Sequence, residues 1–133
     1  MLLFVYGTLM TGYGNNRLLA GQRLVGRALT VHKYAMFAAG IPFVHPTMPR
    51  CRIHGEVWEL ADSDTDALAR LDKLEGHPDF YVRTTIEVEL LQDGAAGGPP
   101  AAVVVQAEIY FNSFVEDVQE IESGDFRQAH RPM

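Results

Sequence analysis

The sequence is poor in the residues that usually carry covalent or metal chemistry. Cys51 is its single cysteine, so an intrachain disulfide is excluded and a reducing compartment is expected. The five histidines never approach one another at metal-ligand spacing, and neither a His-Glu-x-x-His nor a Gly-x-Ser-x-Gly segment occurs. The sequence therefore predicts no metal, no cofactor and no activated serine or cysteine nucleophile.

Long apolar runs and clusters of basic residues are also missing. No stretch approaches the ~18 apolar residues of a membrane-spanning helix, and Met1 is followed by strand-like residues without a basic leader segment. The net charge is −6, and the arginines and lysines are dispersed along the chain. These features favour a cytoplasmic protein with neither a membrane nor a nucleic-acid partner.

What the chain does contain is the composition of one globular domain. With 47% hydrophobic and 21% charged residues, the 133 residues are expected to form a single domain, 1–133, with a substantial core. Apolar patterns predict strand regions at residues 2–6, 24–37 (as one or two strands), 53–60, 81–91 and 103–111. Several short strands favour an α+β domain built on a curved or barrel-like, largely antiparallel sheet.

The helices and loops follow from caps, glycines and prolines. Asn15 or Asn16 can cap a short helix that ends before Gly21, and Asp62 or Ser63 can cap a helix whose buried stripe reaches Leu74. A last helix is predicted at 114–121, followed by an extended tail. Two segments rich in proline and glycine are predicted as loops, residues 38–52 and 92–102.

An acidic residue lies on the apolar face of the helix that reaches Leu74. At ~100° per residue, Glu75 falls about 20° from Leu68, so its carboxyl is expected to point toward the core. Gly76 and Pro78 end the helix and place Glu75 beside the negative end of the helix dipole. Burial and dipole both favour the protonated form, which makes Glu75 a candidate acid or base. The alternative is an exposed, inert carboxylate at a frayed helix end.

The turn after the first strand is a second candidate element. In Tyr6-Gly7-Thr8-Leu9 the strand ends at a glycine, which exposes consecutive backbone N–H groups and lets a ligand approach the main chain. Such a turn can hold a carboxylate, and the alternative is an ordinary strand end with a turn glycine. After the Glu75 turn, Tyr81 and Arg83 share a strand face that is either solvated or able to bind an anionic ligand.

Four short motifs, in order along the chain, resemble those of the gamma-glutamylcyclotransferase-like family. They are Tyr6-Gly7-Thr8-Leu9 followed by Asn15, Gly55-Glu56-Val57-Trp58, Leu71-Asp72-x-x-Glu75-Gly76-x-Pro78-x-x-Tyr81-x-Arg83, and Gly124-Asp125-Phe126-Arg127. The motifs span nearly the whole chain. They are most similar to those of small single-domain members of the gamma-glutamylamine cyclotransferase type.

The resemblance implies a small mixed, largely antiparallel β-barrel with short flanking helices, in which the turn after the first strand and Glu75 face one cavity. It also implies an enzyme that releases 5-oxoproline from a gamma-glutamyl amide by intramolecular cyclisation, without a cofactor. The glutamate at the position of Glu75 is the acid/base in such enzymes. The substrate-binding residues that carry over are Tyr6, Gly7, Thr8 and Leu9, with Tyr81 and Arg83 as pocket or scaffold candidates.

The implied chemistry agrees with the residues that the chain offers. Cyclisation uses the α-amine of the substrate as the nucleophile, so the protein must only fold the substrate and move protons. A different class of function remains compatible with the same sequence, a non-catalytic domain on this scaffold that binds a small metabolite or regulates another protein.

Overall fold

A closed barrel lies at the centre of the computed structural model, which describes residues 1–91, 102–113 and 117–130. Five strands of this part of the chain form the barrel in the order β1 (Leu2–Val5), β5 (His54–Glu59), β2 (Arg23–Thr30), β6 (Val82–Leu91) and β7 (Ala102–Phe111). The barrel closes because β7 also pairs with β1, in parallel at Leu3 and Glu108, whereas the other pairs are antiparallel. The predicted α+β fold with a mixed, largely antiparallel barrel is confirmed.

The core is apolar and receives side chains from every barrel strand. Five of the contributors have almost no exposed surface: Leu3, Ala28, Val57, Val88 and Ile109. The predicted strand regions are confirmed, and region 24–37 divides into β2 and β3 (Ala35–Ala39) with a bend at residues 31–34. Of the predicted 92–102 connector, residues 92–101 lie outside the described chain, and Ala102 begins β7.

A short extension continues the sheet beyond β7. It contains β4 (Ile41–His45), β3 and β8 (Gln119–Glu120), in that order. The prediction of a loop throughout 38–52 is therefore wrong, since β3 and β4 form a hairpin around Gly40, whose φ is +80°. Pro42 is tolerated because β4 pairs with β7 only at Val44, and proline suits partly paired strands.

Helix α1 (Ala67–Glu75) begins later than predicted but ends as predicted. Its N-cap is Asp66, which makes no side-chain capping bond, so neither predicted cap, Asp62 nor Ser63, is used. The stripe toward the core includes Ala67 and Leu71, which are buried, whereas Leu74 was predicted to be buried and is 44% exposed. Leu74 is not packed against the core and lines a cavity instead.

The C-terminal segment differs from its prediction. Residues 119–120 form strand β8 instead of helix, and residues 114–116 of the predicted helix lie outside the described chain. The tail, predicted to be extended, contains the short helix α2 (Phe126–Ala129), capped by the Asp125 carboxylate, which accepts from the Arg127 N–H at 3.0 Å. Burial of Phe126 against the ring of Tyr13, with ring centroids 5.4 Å apart, anchors this tail.

The burial of side chains on the two faces of β6 changes along the strand. Ile86, Val88 and Leu90 are buried as the alternation predicts, but Val82 is 47% exposed and Tyr81, on the opposite face, is buried. The reversal arises because α1 covers the Tyr81 face at this end of the strand, where Asp72 contacts both Arg83 and Tyr110. At this end of β6, a face that the sequence left open to solvent is thus partly covered.

Two features are absent from the described residues. No helix among them is both long and apolar enough to cross a membrane. No group of three or more His, Cys, Asp or Glu side chains in the same residues is placed to hold a metal ion. The absence of a metal and of a membrane partner stays a prediction from the sequence.

Candidate active site

A cavity of about 280 Å³ opens where β1 and α1 end. Six of the residues predicted from the sequence line it: Tyr6, Gly7, Thr8, Leu9, Glu75 and Tyr81. They come from two segments that are more than sixty residues apart, the turn after β1 and the end of α1 with the turn that follows it. The seventh, Arg83, is not among the residues that line the cavity.

Glu75 is positioned by the way α1 ends. Gly76 adopts the left-handed conformation, with φ +66°, and its N–H bonds to the carbonyls of the last helical turn, as in a regular helix C-cap. The chain then folds back, and the N–H of Phe80 donates to the Gly76 carbonyl at 2.7 Å while the N–H of Tyr81 donates to the Glu75 carbonyl at 3.1 Å. A Cβ on Gly76 would lie 3.0 Å from Cβ of Phe80, so glycine suits both the angle and the space.

The carboxyl of Glu75 titrates near neutrality. Burial in the cavity wall raises its pKa from 4.5 to about 7. Among the described residues, no hydrogen bond or positive charge lowers this pKa again. Burial raises the pKa of neighbouring Tyr81, and the charge of Glu75 raises it further, so that hydroxyl stays protonated. Glu75 is therefore able to take up and release a proton at neutral pH.

The buried carboxylate is expected to cost stability, so Glu75→Gln should be more stable than the wild type at alkaline pH. Between pH 4.5 and about 7 the folded state keeps a proton that the unfolded state has lost, so the wild-type free energy of unfolding falls as pH rises through this window. The advantage of the variant should grow by about 1–3 kcal/mol between pH 5 and pH 8. Urea denaturation of both proteins across this range measures it, and a difference independent of pH contradicts it.

The turn after β1 is closed by one backbone hydrogen bond and held from outside by the following 3₁₀ helix, Gly14–Leu19. The N–H of Met10 donates to the Gly7 carbonyl at 3.0 Å, which leaves Thr8 and Leu9 at the centre of the turn. Among the described residues, no acceptor receives a hydrogen bond from the Thr8 or Leu9 N–H. Both residues line the cavity, so these two donors are available to a ligand.

The asparagines predicted to cap that helix have another function in the structure. The helix is preceded by Tyr13, without a side-chain capping bond. Asn15 donates instead from Nδ2 to Oγ1 of Thr8 at 2.9 Å, and Asn16 donates from Nδ2 to the Leu9 carbonyl at 2.8 Å. The two amides tie the helix to the turn and restrict its conformation.

Gly7 also has a packing reason to be glycine, which the sequence did not indicate. A Cβ at this position would lie 2.5 Å from Cγ of Pro42, well inside van der Waals contact. The missing side chain therefore allows the turn after β1 to pack against Pro42 of β4, and Gly7 also lines the cavity.

Glu56 links two of the sequence motifs, the one in β5 and the one in the C-terminal tail. This carboxylate is 6% exposed, and its Oε1 accepts from the Thr11 N–H at 2.8 Å and from Nε1 of Trp58 at 3.2 Å. Arg127, from the tail, lies with Nη2 3.3 Å from Oε2 of Glu56 and also donates to the Thr11 carbonyl. Strand β5 and the tail thus hold the chain immediately after the cavity turn.

Arg83 lies behind the cavity wall, in a network of carboxylates. Its Nε and Nη2 donate to the two oxygens of Asp72 at 2.9 and 3.2 Å, and its Nη1 donates to Glu108 at 2.9 Å. The hydroxyl of Tyr110 donates to Asp72 at 2.7 Å. Although burial acts to raise it, hydrogen bonds from Arg83 and Tyr110 lower the pKa of Asp72 overall. Arg83 was expected either in the pocket or in the scaffold around it, and in the structure it belongs to the scaffold.

Several residues that line the cavity were not predicted as site residues. They are Asn15, Ile41, Pro42, Lys73, Leu74, Phe80 and Tyr110, with Phe4, Val5 and Gly76. Those next to Glu75 along α1 and its turn could have been found by their helical proximity to it. Pro42 and Tyr110 carry no local signal, because β4 and β7 bring them to the cavity through pairing alone.

The fold and the cavity define a class of protein, a small mixed β-barrel whose pocket contains a partly buried, protonatable carboxyl and a turn with available backbone donors. A family model described as gamma-glutamyl cyclotransferase, AIG2-like, matches residues 3–128. The chain belongs to this family, and it is a cyclotransferase enzyme.

Individual relatives agree with the family. A Methanocaldococcus jannaschii protein, provisionally named a gamma-glutamylcyclotransferase, is 34% identical over 126 residues, which cover 94% of each chain. The human gamma-glutamylaminecyclotransferase is 38% identical over 122 residues, covering 82% of this chain and 76% of its own. The crystal structure of a mouse AIG2-like protein superposes with a TM-score of 0.73 at 28% identity, covering 93% of this chain and 87% of that one. The family recognised from the sequence motifs is confirmed.

Proposed function

We propose that the protein releases 5-oxoproline from a gamma-glutamyl amide by intramolecular cyclisation, with Glu75 as acid and base. One observation carries the proposal: the Glu75 carboxyl, with its pKa raised to about 7, and the available N–H groups of Thr8 and Leu9 line the same cavity. The names of relatives from human and rat, gamma-glutamylaminecyclotransferase, support a gamma-glutamyl derivative of an amine as the substrate.

The reaction requires no nucleophile from the protein, since the substrate provides it. The α-nitrogen of the glutamyl group attacks its own γ-carbonyl carbon, the new C–N bond closes a five-membered lactam, and the bond to the leaving amine breaks. The α-ammonium group must lose a proton before it attacks, and the leaving amine must gain one. Holding the two ends of one molecule in contact provides a large part of the rate enhancement.

Glu75 is suited to both proton transfers. With a pKa of about 7, its carboxylate accepts the proton of the α-ammonium group and the resulting acid returns it to the departing nitrogen. A carboxyl with its usual pKa of 4.5 would be a weaker base and would rarely be protonated at neutral pH. Burial therefore gives this residue the balance between acid and base that the two steps need.

The turn holds the other end of the substrate. The N–H groups of Thr8 and Leu9 bind the α-carboxylate of the glutamyl group or the oxyanion that develops on the γ-carbonyl. Hydrogen bonds from Asn15 and Asn16 keep these donors oriented before the substrate arrives. Tyr81 contributes the surface of its ring, because its hydroxyl donates to the Pro42 carbonyl at 2.8 Å.

The direct test is product formation from gamma-glutamyl-ε-lysine and from simple gamma-glutamyl alkylamides. Chromatography is expected to detect 5-oxoproline and the free amine in equal amounts. The N-acetylated forms of the same amides serve as controls, since a blocked α-nitrogen cannot cyclise and should give no product. Binding of these amides without any 5-oxoproline would contradict the proposed reaction.

A further inference from the structure

The C-terminal tail contacts the segment that follows the cavity turn, residues 11–13. At the start of the tail, the N–H of His54 in β5 donates to the Gly124 carbonyl at 2.9 Å. Gly124 has a φ of +70°, and a side chain there would collide with the Arg52 carbonyl, so the tail packs closely against the barrel. Neither Arg127 nor Glu56 is among the residues that line the cavity. An effect of the tail on the substrate must therefore pass through residues 11–13.

Arg127 and Glu56 hold both backbone groups of Thr11. Arg127 donates from Nη2 to the Thr11 carbonyl, and Oε1 of Glu56 accepts from the Thr11 N–H at 2.8 Å. The two side chains also pair with each other, with Nη2 of Arg127 3.3 Å from Oε2 of Glu56. Because Thr11 itself is exposed, these charged hydrogen bonds rather than burial fix its backbone. We call these two side chains the clamp.

Tyr13 is the second point at which the tail holds this segment. The Tyr13 ring packs against that of Phe126, and the Arg127 guanidinium lies over it, 5.2 Å from the ring centroid. The Tyr13 hydroxyl donates to the His130 carbonyl. Gly12 lies between the two fixed residues, with a φ of +95° that suits glycine. Holding both of its neighbours restricts the residue with the greatest backbone freedom in this segment.

The segment held by the tail joins two contacts that shape the cavity turn. The Tyr13 N–H donates to the carbonyl of Met10, the residue that closes the turn, at 3.1 Å. Two residues later, the Asn15 N–H donates to the Thr8 carbonyl at 3.1 Å, beside the bond from its side chain to the Thr8 hydroxyl. A displacement of residues 11–13 would therefore misalign the N–H groups of Thr8 and Leu9.

We infer that Arg127, acting with Glu56 on Thr11, is a positioning residue that keeps the cavity turn ready to bind the α-carboxylate of the substrate. This inference rests on the proposed function and adds to it a role for the C-terminal tail. Donors that are oriented in advance lose less freedom when a ligand binds. Because the α-carboxylate is charged before and throughout the reaction, a loosened turn binds ground state and transition state equally less well. The cost then appears in KM and leaves kcat nearly unchanged.

Arg127→Met tests the inference through the kinetics of 5-oxoproline release, well below the melting transition of each protein. KM should rise about five- to tenfold, with kcat within about twofold of the wild type. The rise should be equal for gamma-glutamyl-ε-lysine and for a gamma-glutamyl alkylamide, since the turn contacts the glutamyl half that they share. A smaller folded fraction lowers kcat and leaves KM unchanged. A fall in kcat alone, or a rise in KM for one amide only, therefore overturns the inference.

Arg52→Met is the matched control for loss of stability. The Arg52 side chain is 36% exposed, against 35% for Arg127, and it also contacts one carboxylate and one carbonyl, those of Glu89 at 3.0 Å and Thr30 at 2.7 Å. These contacts do not involve residues 11–13, so this variant should keep the wild-type KM. Equal KM values in the two variants overturn the inference and leave the proposed function intact. If the wild type forms no 5-oxoproline, the proposed function fails and the inference with it.

Arg127→Lys keeps the inference testable if Arg127→Met does not fold. Lysine retains a positive charge opposite Glu56, which is 6% exposed, so the fold should be preserved. Its ammonium lacks the planar fork with which the guanidinium contacts both the Thr11 carbonyl and the Glu56 carboxylate. KM of this variant should rise about two- to fourfold at unchanged kcat. A folded Arg127→Lys protein with the wild-type KM overturns the inference.

Discussion

Glu75→Gln is expected to fold like the wild type and to lose at least ~10²-fold in kcat, the lower end of the range for acid–base catalysis. Glutamine has nearly the same shape, but its amide cannot take the proton of the α-ammonium group or return it to the leaving amine. Initial rates of 5-oxoproline release at saturating substrate measure the loss, and circular dichroism with a thermal melt verifies the fold.

The pH profile separates a proton carrier from a residue that only shapes the cavity. Because the carboxylate is the form that starts the reaction, wild-type kcat/KM should rise with pH with an apparent pKa near 7. The residual kcat/KM of Glu75→Gln should not show this rise with pH. Glu59→Gln, at a carboxylate paired with Arg23 on the surface, is the matched control and should retain both the rate and the profile. Undiminished turnover in Glu75→Gln would remove Glu75 from the mechanism.

Arg83→Met is expected to lower the free energy of unfolding by about 2–3 kcal/mol. The substitution leaves the carboxylates of Asp72 and Glu108 without their cation, and these side chains are only 21% and 16% exposed. Removing one partner of a fully buried pair costs roughly 3–5 kcal/mol, and the remaining contact with water reduces that cost here. Urea denaturation at neutral pH provides the measurement.

A second arginine provides the control for this prediction. Arg70 also makes a salt bridge, to Asp64, but the side chains are 48% and 31% exposed. Arg70→Met should therefore cost much less stability than Arg83→Met, as is usual for surface pairs. If Arg83→Met instead kept full stability and raised KM for the substrate, Arg83 would bind the substrate anion rather than support the cavity wall.

The parts of the site that are determined by residues close to one another in sequence could be predicted. Helical periodicity placed Glu75 on the inner face of α1, and Gly76 ended the helix at the predicted position. The turn after β1 was likewise readable from a strand that stops at Gly7. These predictions succeed because the helix period and the left-handed glycine are set by the local chain.

Predictions failed where long-range pairing overrides local preference. Prolines made residues 38–52 look like a loop, but pairing with β3 turns residues 41–45 into a strand. Asn15 was expected to cap a helix, and the proximity of Thr8 gives its amide a better partner. The tail was expected to be extended, yet burial of Phe126 and the contact of Arg127 with Glu56 fold it onto the body of the protein.

By itself, the sequence determined the strands of the barrel, the family, and the two short segments that contain the candidate catalytic carboxyl and the ligand-binding turn. Only the tertiary structure decided that these segments share one cavity, that Arg83 supports it from behind, and that Ile41 and Phe80 line it. The reason is physical: spacing along a chain specifies which side of a helix or strand a residue occupies. The burial that raises the pKa of Glu75, and the contacts that close the cavity, arise from elements distant in sequence.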